Sequence, residues 1–231
     1  MSTWEEVTGG VIRRRLPGWD ETVGAVAGDG GLLLVDTGPS PAVAEEVGRE
    51  AGALLGAPVT WLVVTHPHFD HLLGAGAFPG AAAYGPRHDG REAAQDAVHQ
   101  GLPPAEAEQG AALLPGVRWH VLDGTDVELD LGGGRRVLLV DLGAAHSSHD
   151  VAVVVPGPVP VVFCGDLVEE SGEPQAGPDA RPARWPTALD RLLELGGPDA
   201  VYVPGHGALV DAAFVRAQRD ALHARFGASA D

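Results

Sequence analysis

The feature that most constrains the fold is a dense group of metal-binding side chains directly after an apolar run. Residues 59–64 read Val-Thr-Trp-Leu-Val-Val, a pattern typical of a strand that is buried on both faces. Residues 65–71 read Thr-His-Pro-His-Phe-Asp-His. Imidazole nitrogens and carboxylate oxygens suit zinc, iron or manganese, and no cysteine lies within residues 65–71 to suggest a thiolate-rich structural site. The pattern therefore predicts a metal site at the end of a buried strand.

Four further polar motifs follow β-like runs elsewhere in the chain. They are Asp36-Thr-Gly, Gly143-Ala-Ala-His146-Ser, Gly165-Asp166 and Pro204-Gly-His206-Gly. Because strand ends on one edge of a sheet converge in space, residues far apart in the chain can build one site. Glycine beside a ligand allows the backbone to approach a metal closely. We therefore expect these motifs to meet the histidine cluster.

The remaining pattern alternates β-like and helical segments. The β-like runs are 10–14, 22–27, 32–35, 117–122, 126–131, 136–142, 151–155, 159–164 and 200–203. The helical segments are 41–55, 87–114 with a break at Pro103-Pro104, 187–195 and 208–226. Residues 170–184 are rich in Pro, Gly and Ala and are predicted to form a loop. No linker divides the chain, so we expect one domain over residues 1–231.

Charge and composition narrow the classes of partner. The net charge is −17, and all 15 basic residues are arginine. An acidic surface repels phosphate backbones, which disfavours a nucleic-acid partner and favours a small-molecule substrate. The N-terminal residues lack the pattern of a signal peptide, and no apolar run approaches the ~20 residues that cross a bilayer. We therefore expect a cytoplasmic protein without a membrane partner. Cys164 is the single cysteine, which precludes an internal disulfide.

The motifs together resemble those of the metallo-β-lactamase superfamily, in its hydrolase branch with a bridging aspartate. They occur in family order between residues 36 and 207. The resemblance implies an α/β fold, a four-layer αββα sandwich of two mixed β-sheets flanked by helices. It also implies two adjacent metal ions, which we expect to be zinc, with iron or manganese as alternatives.

The resemblance also implies a division of the ligands between the two metals. The first metal would be held by three histidines, His66, His68 and His146. The second would be held by one carboxylate and two histidines, Asp70, His71 and His206. Asp166 would bridge the metals, and Asp36 would brace the histidine loop without binding a metal. In an extended loop residues 66 and 68 point the same way, whereas 70 and 71 can point elsewhere, which agrees with this division.

This ligand set implies a hydrolase in which a metal-bound hydroxide attacks a small ester, thioester, lactone or lactam, with Asp70 orienting the nucleophile. The substrate would be chosen by the walls of the pocket, which we expect in segments 84–115 and 168–186. One alternative is a mononuclear iron oxygenase of the persulfide dioxygenase type on the same fold. A second alternative is a non-catalytic metal-binding module.

Three residues near the motifs have open roles. His149 stands where the family usually has glycine, and it could line the pocket, relay protons or face solvent, while His146 is the preferred ligand. Cys164 could bind metal, but its apolar neighbours favour a buried core thiol. His88 lies in no motif and could reach the rim of the pocket.

Overall fold

The computed structural model describes residues 4–227, which contain two mixed β-sheets. The first sheet has the order β1 (Glu5–Thr8), β2 (Val11–Arg15), β3 (Thr22–Gly28), β4 (Gly31–Val35), β5 (Val59–Val63), β6 (Ala82–Gly85) and β7 (Arg118–Val121). The second has the order β12 (Val201–His206), β11 (Val161–Glu169), β10 (Asp150–Val155), β9 (Arg136–Gly143) and β8 (Val127–Asp130). The pairs from β4 to β7 are parallel, as is the pair β11–β12, and the remaining pairs are antiparallel.

The helices cover the outer faces of both sheets. They are α1 (Pro41–Leu55), α2 (Phe69–Leu72), α3 (Gly90–His99), α4 (Pro104–Leu113), α5 (Trp185–Gly196) and α6 (Ala212–Phe226). The sequence sets the ends of α1 directly. The Ser40 side chain accepts a hydrogen bond from the Val43 N–H, Pro41 occupies the first turn, and Gly56 ends the helix with φ +75°. No helix within residues 4–227 is long and apolar enough to cross a membrane.

Apolar side chains fill the space between four layers. Leu32 and Leu34 of β4 pack in the cluster beneath α1 and α3, while Leu33 and Val35 pack in the cluster between the two sheets. A third cluster, which includes Cys164, lies between the second sheet and helices α5 and α6. Because both faces of these strands are covered, their sequences are continuously apolar rather than alternating. This packing gives the αββα sandwich that the sequence predicts.

Several element bounds differ from the sequence prediction. Strands β1 and β6 and helix α2 were not predicted, since four-residue elements give too short a pattern. The helical stretch predicted over residues 87–114 forms two helices, α3 and α4, which are separated at the predicted break before Pro104. Helix α6 begins at Ala212 rather than at residue 208, because the Asp211 carboxylate accepts hydrogen bonds from the N–H groups of Ala213 and Phe214.

Candidate metal centre

The structure brings all seven predicted ligand residues together at one end of the sandwich. From the first sheet, His66 and His68 lie in the loop after β5, and Asp70 and His71 lie in α2. From the second sheet, His146 lies between β9 and β10, Asp166 lies in β11, and His206 is the last residue of β12. The strand ends converge as expected. Asp166, however, lies inside a strand that continues to Glu169, not after its end.

The seven side chains fall into two adjacent groups within the described residues. In each group the potential ligand atoms all lie within 4.8 Å of one another. The first group consists of His66, His68, His146 and Asp166, and the second consists of Asp70, His71 and His206. This division is the same as the division that the family resemblance implies.

The Asp166 carboxylate lies between the two groups. Its Oδ2 is 3.6 Å from Nε2 of His66 and 3.4 Å from Nε2 of His146, which belong to the first group. Its two oxygens are 3.2 Å from Nε2 of His71 and 3.3 Å from Nε2 of His206, which belong to the second. One carboxylate therefore faces imidazoles of both groups.

Unpaired buried atoms show that the cluster suits cations. Among residues 4–227, Nε2 of His66, Nε2 of His71 and Oδ1 of Asp166 are buried and make no hydrogen bond. Such unpaired groups are rare, because each one lowers the free energy of unfolding by about 1–3 kcal/mol. Metal ions would satisfy these atoms, and a set of imidazole nitrogens and carboxylate oxygens suits zinc, iron or manganese.

Hydrogen bonds behind the cluster orient the imidazole rings. Asp36 lies 2.9 Å from Nδ1 of His71 and accepts hydrogen bonds from both N–H and Oγ1 of Thr65. Nδ1 of His206 lies 2.8 Å from the carbonyl oxygen of Trp19. A carbonyl only accepts, so Nδ1 of His206 carries the proton, and in the neutral ring Nε2 presents its lone pair to the cluster. Asp36 braces the loop, as predicted.

His68 faces the cluster through Nδ1, whereas His66 and His146 present Nε2. Its Nδ1 lies 3.2 Å from Nε2 of His146, and its Nε2 lies 3.3 Å from the Asp179 carboxylate. Asp179 also accepts a hydrogen bond from the N–H of Ser148. This carboxylate therefore connects the loop after β11 to both histidine loops. Sequence analysis missed Asp179, since nothing near it forms a motif.

The carboxylates and histidines of the cluster shift one another's pKa values. Burial opposes ionisation of Asp166, but the fields of His71 and His66 outweigh it and hold the Asp166 pKa well below its usual range. Burial also opposes charge on His206, yet Asp166 and Asp70 raise its pKa to about 11. The same balance raises the pKa of His71. Without metal, the centre therefore holds protons that cation binding must displace.

Glu21 is a second residue that sequence analysis missed. It is fully buried, and within the described part of the chain neither carboxylate oxygen has a hydrogen-bond partner. Its backbone pairs with that of His206 in an isolated bridge. Burial, together with the charge of Asp70, raises the Glu21 pKa to about 7. This carboxylate lies behind the second group of ligands, and no local pattern in the sequence marks it.

The structure also shows the positions of His149 and Cys164, whose roles the sequence left open. His149 lies outside both groups of potential ligands, and its Nε2 is 2.8 Å from the Asp141 carboxylate. Asp150 is buried and accepts hydrogen bonds from the N–H groups of Ala145 and Ser147, so it shapes the loop that carries His146. Cys164 also lies outside both groups, and burial raises the pKa of its thiol well above the usual value, as expected for a core thiol.

A cavity of about 930 Å³ opens above the cluster. Asp70, His146 and Asp166 form part of its floor. Its walls come from residues 87–100 and 169–179, which lie within the two segments predicted to choose the substrate. His88 lines the cavity, as the sequence allowed. A volume of this size suits a small molecule.

Comparison with known proteins places the fold and the sequence in one family. The family model described as the metallo-beta-lactamase superfamily matches residues 16–206. The human protein "Metallo-beta-lactamase domain-containing protein 1" is 33% identical over 184 residues, which are 77% of this chain and 58% of that protein. The chain thus spans little more than half the length of this relative.

Solved structures share the fold at low sequence identity. The metallo-beta-lactamase from Pontibacter korlensis superposes with a TM-score of 0.70 and 23% identity, over 95% of this chain and 99% of that one. The metallo-beta-lactamase FIM-1 from Pseudomonas aeruginosa, in its mono-zinc form, superposes with a TM-score of 0.71 and 20% identity, over 97% of this chain and 96% of that one. The DIM-1 metallo-beta-lactamase superposes with a TM-score of 0.72 and 18% identity, over 97% of this chain and 98% of that one. These likenesses confirm the predicted fold.

Proposed function

The chain belongs to the metallo-β-lactamase superfamily, and we propose that it is a hydrolase with a dinuclear zinc centre. The observation that carries this proposal is the position of the Asp166 carboxylate. It lies 3.2–3.6 Å from Nε2 of four histidines, two from each group of potential ligands. A carboxylate that binds two cations must lie next to the other ligands of both cations.

The seven clustered side chains would hold the metals in two sets. His66, His68 and His146 would bind the first ion, and Asp70, His71 and His206 the second. Asp166 would contact both. When bound, two such dications polarise a carbonyl group and lower the pKa of water from ~15.7 toward ~7.

The chain's own groups would position the reactants. Asp70 lines the cavity floor, with its Oδ2 3.4 Å from Nε2 of His206 and 3.5 Å from Nε2 of His71. From this position it would accept a hydrogen bond from the attacking water and hold it in line with the substrate carbonyl. The rings of Trp19 and Phe69, 5.3 Å apart and edge to face, give the floor an apolar border that limits entry of other water.

The substrate we propose is a small ester, thioester, lactone or lactam. These compounds share an electrophilic carbonyl with a heteroatom leaving group, which is the chemistry that the centre supports. The cavity has the volume of a small-molecule site, and the net charge of −17 disfavours nucleic acid.

A pair of neighbouring histidines gives a matched test of this assignment. His146→Ala should lower the metal content and reduce kcat/KM for a reactive thioester by at least ~100-fold, because it removes a proposed ligand. His149→Ala should retain metal and activity, since His149 contacts Asp141 and lies outside the cluster. Metal analysis and thioester hydrolysis on both variants are the measurements. Loss of metal in His149→Ala alone would reverse the assignment.

A further inference from the structure

We infer that the cavity selects substrates with a positively charged group remote from the reacting carbonyl. This inference rests on the proposed hydrolase function and adds a substrate class to it. It follows from the charges on the cavity walls, which are distinct from the ligands on the floor.

One wall is the acidic face of α3. Asp89, Glu92 and Asp96 lie at positions i, i+3 and i+7, which places them on one side of the helix, and all three line the cavity. Asp89 also caps α3, because its Oδ1 accepts a hydrogen bond from the Arg91 N–H. Within residues 4–227, neither Glu92 nor Asp96 has a cationic partner.

The end of β11 and the segment after it add three more carboxylates to the cavity lining, Glu169, Glu173 and Asp179. Two of these have cationic partners. Asp179 contacts His68, and Glu173 lies 3.7 Å from Arg225 in an exposed pair that solvent screens. Glu169 accepts hydrogen bonds from the N–H and hydroxyl of Ser171, and burial raises its pKa. Glu92 and Asp96 are therefore the carboxylates that are most available to a ligand.

Positive charge is scarce on the same walls. Among the described residues that line the cavity, Arg87 is the only arginine, and the chain has no lysine. The Arg87 guanidinium already lies 3.0 Å from the Asp123 carboxylate and is largely exposed. An anionic substrate would thus find no unpaired arginine among the described lining residues and would meet carboxylates from both wall segments.

Asp89, Glu92 and Asp96 are exposed to solvent, but they line the same cavity as the potential metal ligands. They surround the cavity whose floor holds the unpaired and buried Asp166 Oδ1. Two dications on the floor would offset the charges of Asp70 and Asp166, but no carboxylate of α3 belongs to either group of potential ligands. The site therefore combines a centre for the electrophilic carbonyl with an outer wall for an ammonium or guanidinium group.

A set of thioesters that differ only in charge tests the inference. S-acetylthiocholine, its neutral 3,3-dimethylbutyl counterpart and S-acetyl-3-mercaptopropanoate would be compared by kcat/KM on the zinc-loaded protein. We expect the cationic thioester to exceed the anionic one by tenfold or more at low salt, on the order of steering effects in charged clefts. The ratio should fall toward one at ~0.5 M salt, where screening shortens the reach of charges.

Variants of α3 supply the control. The double variant Glu92→Gln/Asp96→Asn should lower kcat/KM for the cationic thioester more than for the neutral one, and so reduce the cation-to-neutral ratio severalfold. The matched double variant Glu106→Gln/Glu108→Gln removes two exposed acids of α4 that do not line the cavity, and it should leave the ratio unchanged. Equal ratios in both double variants and in the parent protein would overturn the inference.

The outcomes distinguish this inference from the proposed function. Hydrolysis of all three thioesters at similar rates would overturn the charge selection and leave the hydrolase standing. If none is hydrolysed, the hydrolase proposal fails, and binding of choline against its neutral isostere 3,3-dimethylbutanol decides the charge selection. Tighter binding of choline that weakens in Glu92→Gln/Asp96→Asn would support it, and equal binding would overturn it.

Discussion

Asp36 shows how a single residue outside the cluster controls it. Its backbone φ is +59°, a left-handed conformation that costs an L-residue about 1–2 kcal/mol. In return its carboxylate contacts Thr65 twice and His71 once. The unfavourable backbone conformation of Asp36 is thus retained because its side chain contacts both the histidine loop and the second group of potential ligands.

Asp36→Asn tests this positioning role. Asparagine tolerates positive φ, so the backbone should persist, but its amide presents only one acceptor oxygen to Thr65 and His71. We expect metal affinity to fall about 10–100-fold, as is usual when the carboxylate behind a ligating histidine is lost. Titration against a competing chelator measures this change. Unchanged affinity with an intact far-ultraviolet circular dichroism spectrum would contradict it.

At this scale the sequence predicted the residues that form local patterns. The histidine cluster and the Asp36, His146, Asp166 and His206 motifs could be recognised because glycine or closely spaced ligands mark each one. Asp179 and Trp19 could not, since they contact His68 and His206 from 111 and 187 residues away in the chain. Glu21 escaped for the same reason, because its burial depends on tertiary packing.

Among the elements of the fold, strands β11 and β12 position the Asp166 carboxylate. The sequence pattern predicts that β11 ends at residue 164, since Gly-Asp is typical of a turn. The strand instead continues through Gly165, with φ +53°, and its pairing with β12 becomes irregular there. This irregular step carries the Asp166 side chain into the cluster. Gly205 of β12 lies against it, at a point where the chain permits no larger residue.

Gly205→Ala tests this close approach. The added methyl carbon would overlap Oδ1 of Asp166 and lie 2.8 Å from its backbone nitrogen, so the carboxylate or the strand must shift. We expect loss of metal and of thioester hydrolysis. Gly80→Ala is the matched control, because a methyl group there meets no atom within 4 Å among the described residues. Full metal loading of Gly205→Ala, measured by elemental analysis, would contradict the arrangement.

The whole molecule couples metal binding to proton release and to contact between its two sheets. The potential ligands come from the loop and helix after β5 on one sheet and from β9–β12 on the other. Metals at the centre would thus join the two halves of the sandwich and stabilise the folded chain by mass action. The same ions must displace protons, because the pKa of His206 is raised to about 11 without metal.

The proton coupling has a definite sign. A histidine with a raised pKa is protonated below that pKa, so a metal must displace its proton, and the displacement becomes easier as pH rises. We therefore expect zinc loading at pH 7 to release at least about one proton per chain and the apparent affinity to increase between pH 6 and pH 8. Calorimetry in two buffers of different ionisation enthalpy measures the release. A pH-independent affinity would contradict it.

We propose that the Asp166 carboxylate and six further side chains hold two metals that act together. The most direct test is metal content measured in parallel with thioester hydrolysis, during chelation and stepwise return of zinc. We expect two zinc ions per chain at full activity, loss of hydrolysis on chelation, and full recovery only with the second equivalent. Hydrolysis that survives complete removal of metal would contradict it, as would one iron per chain accompanied by oxygen consumption.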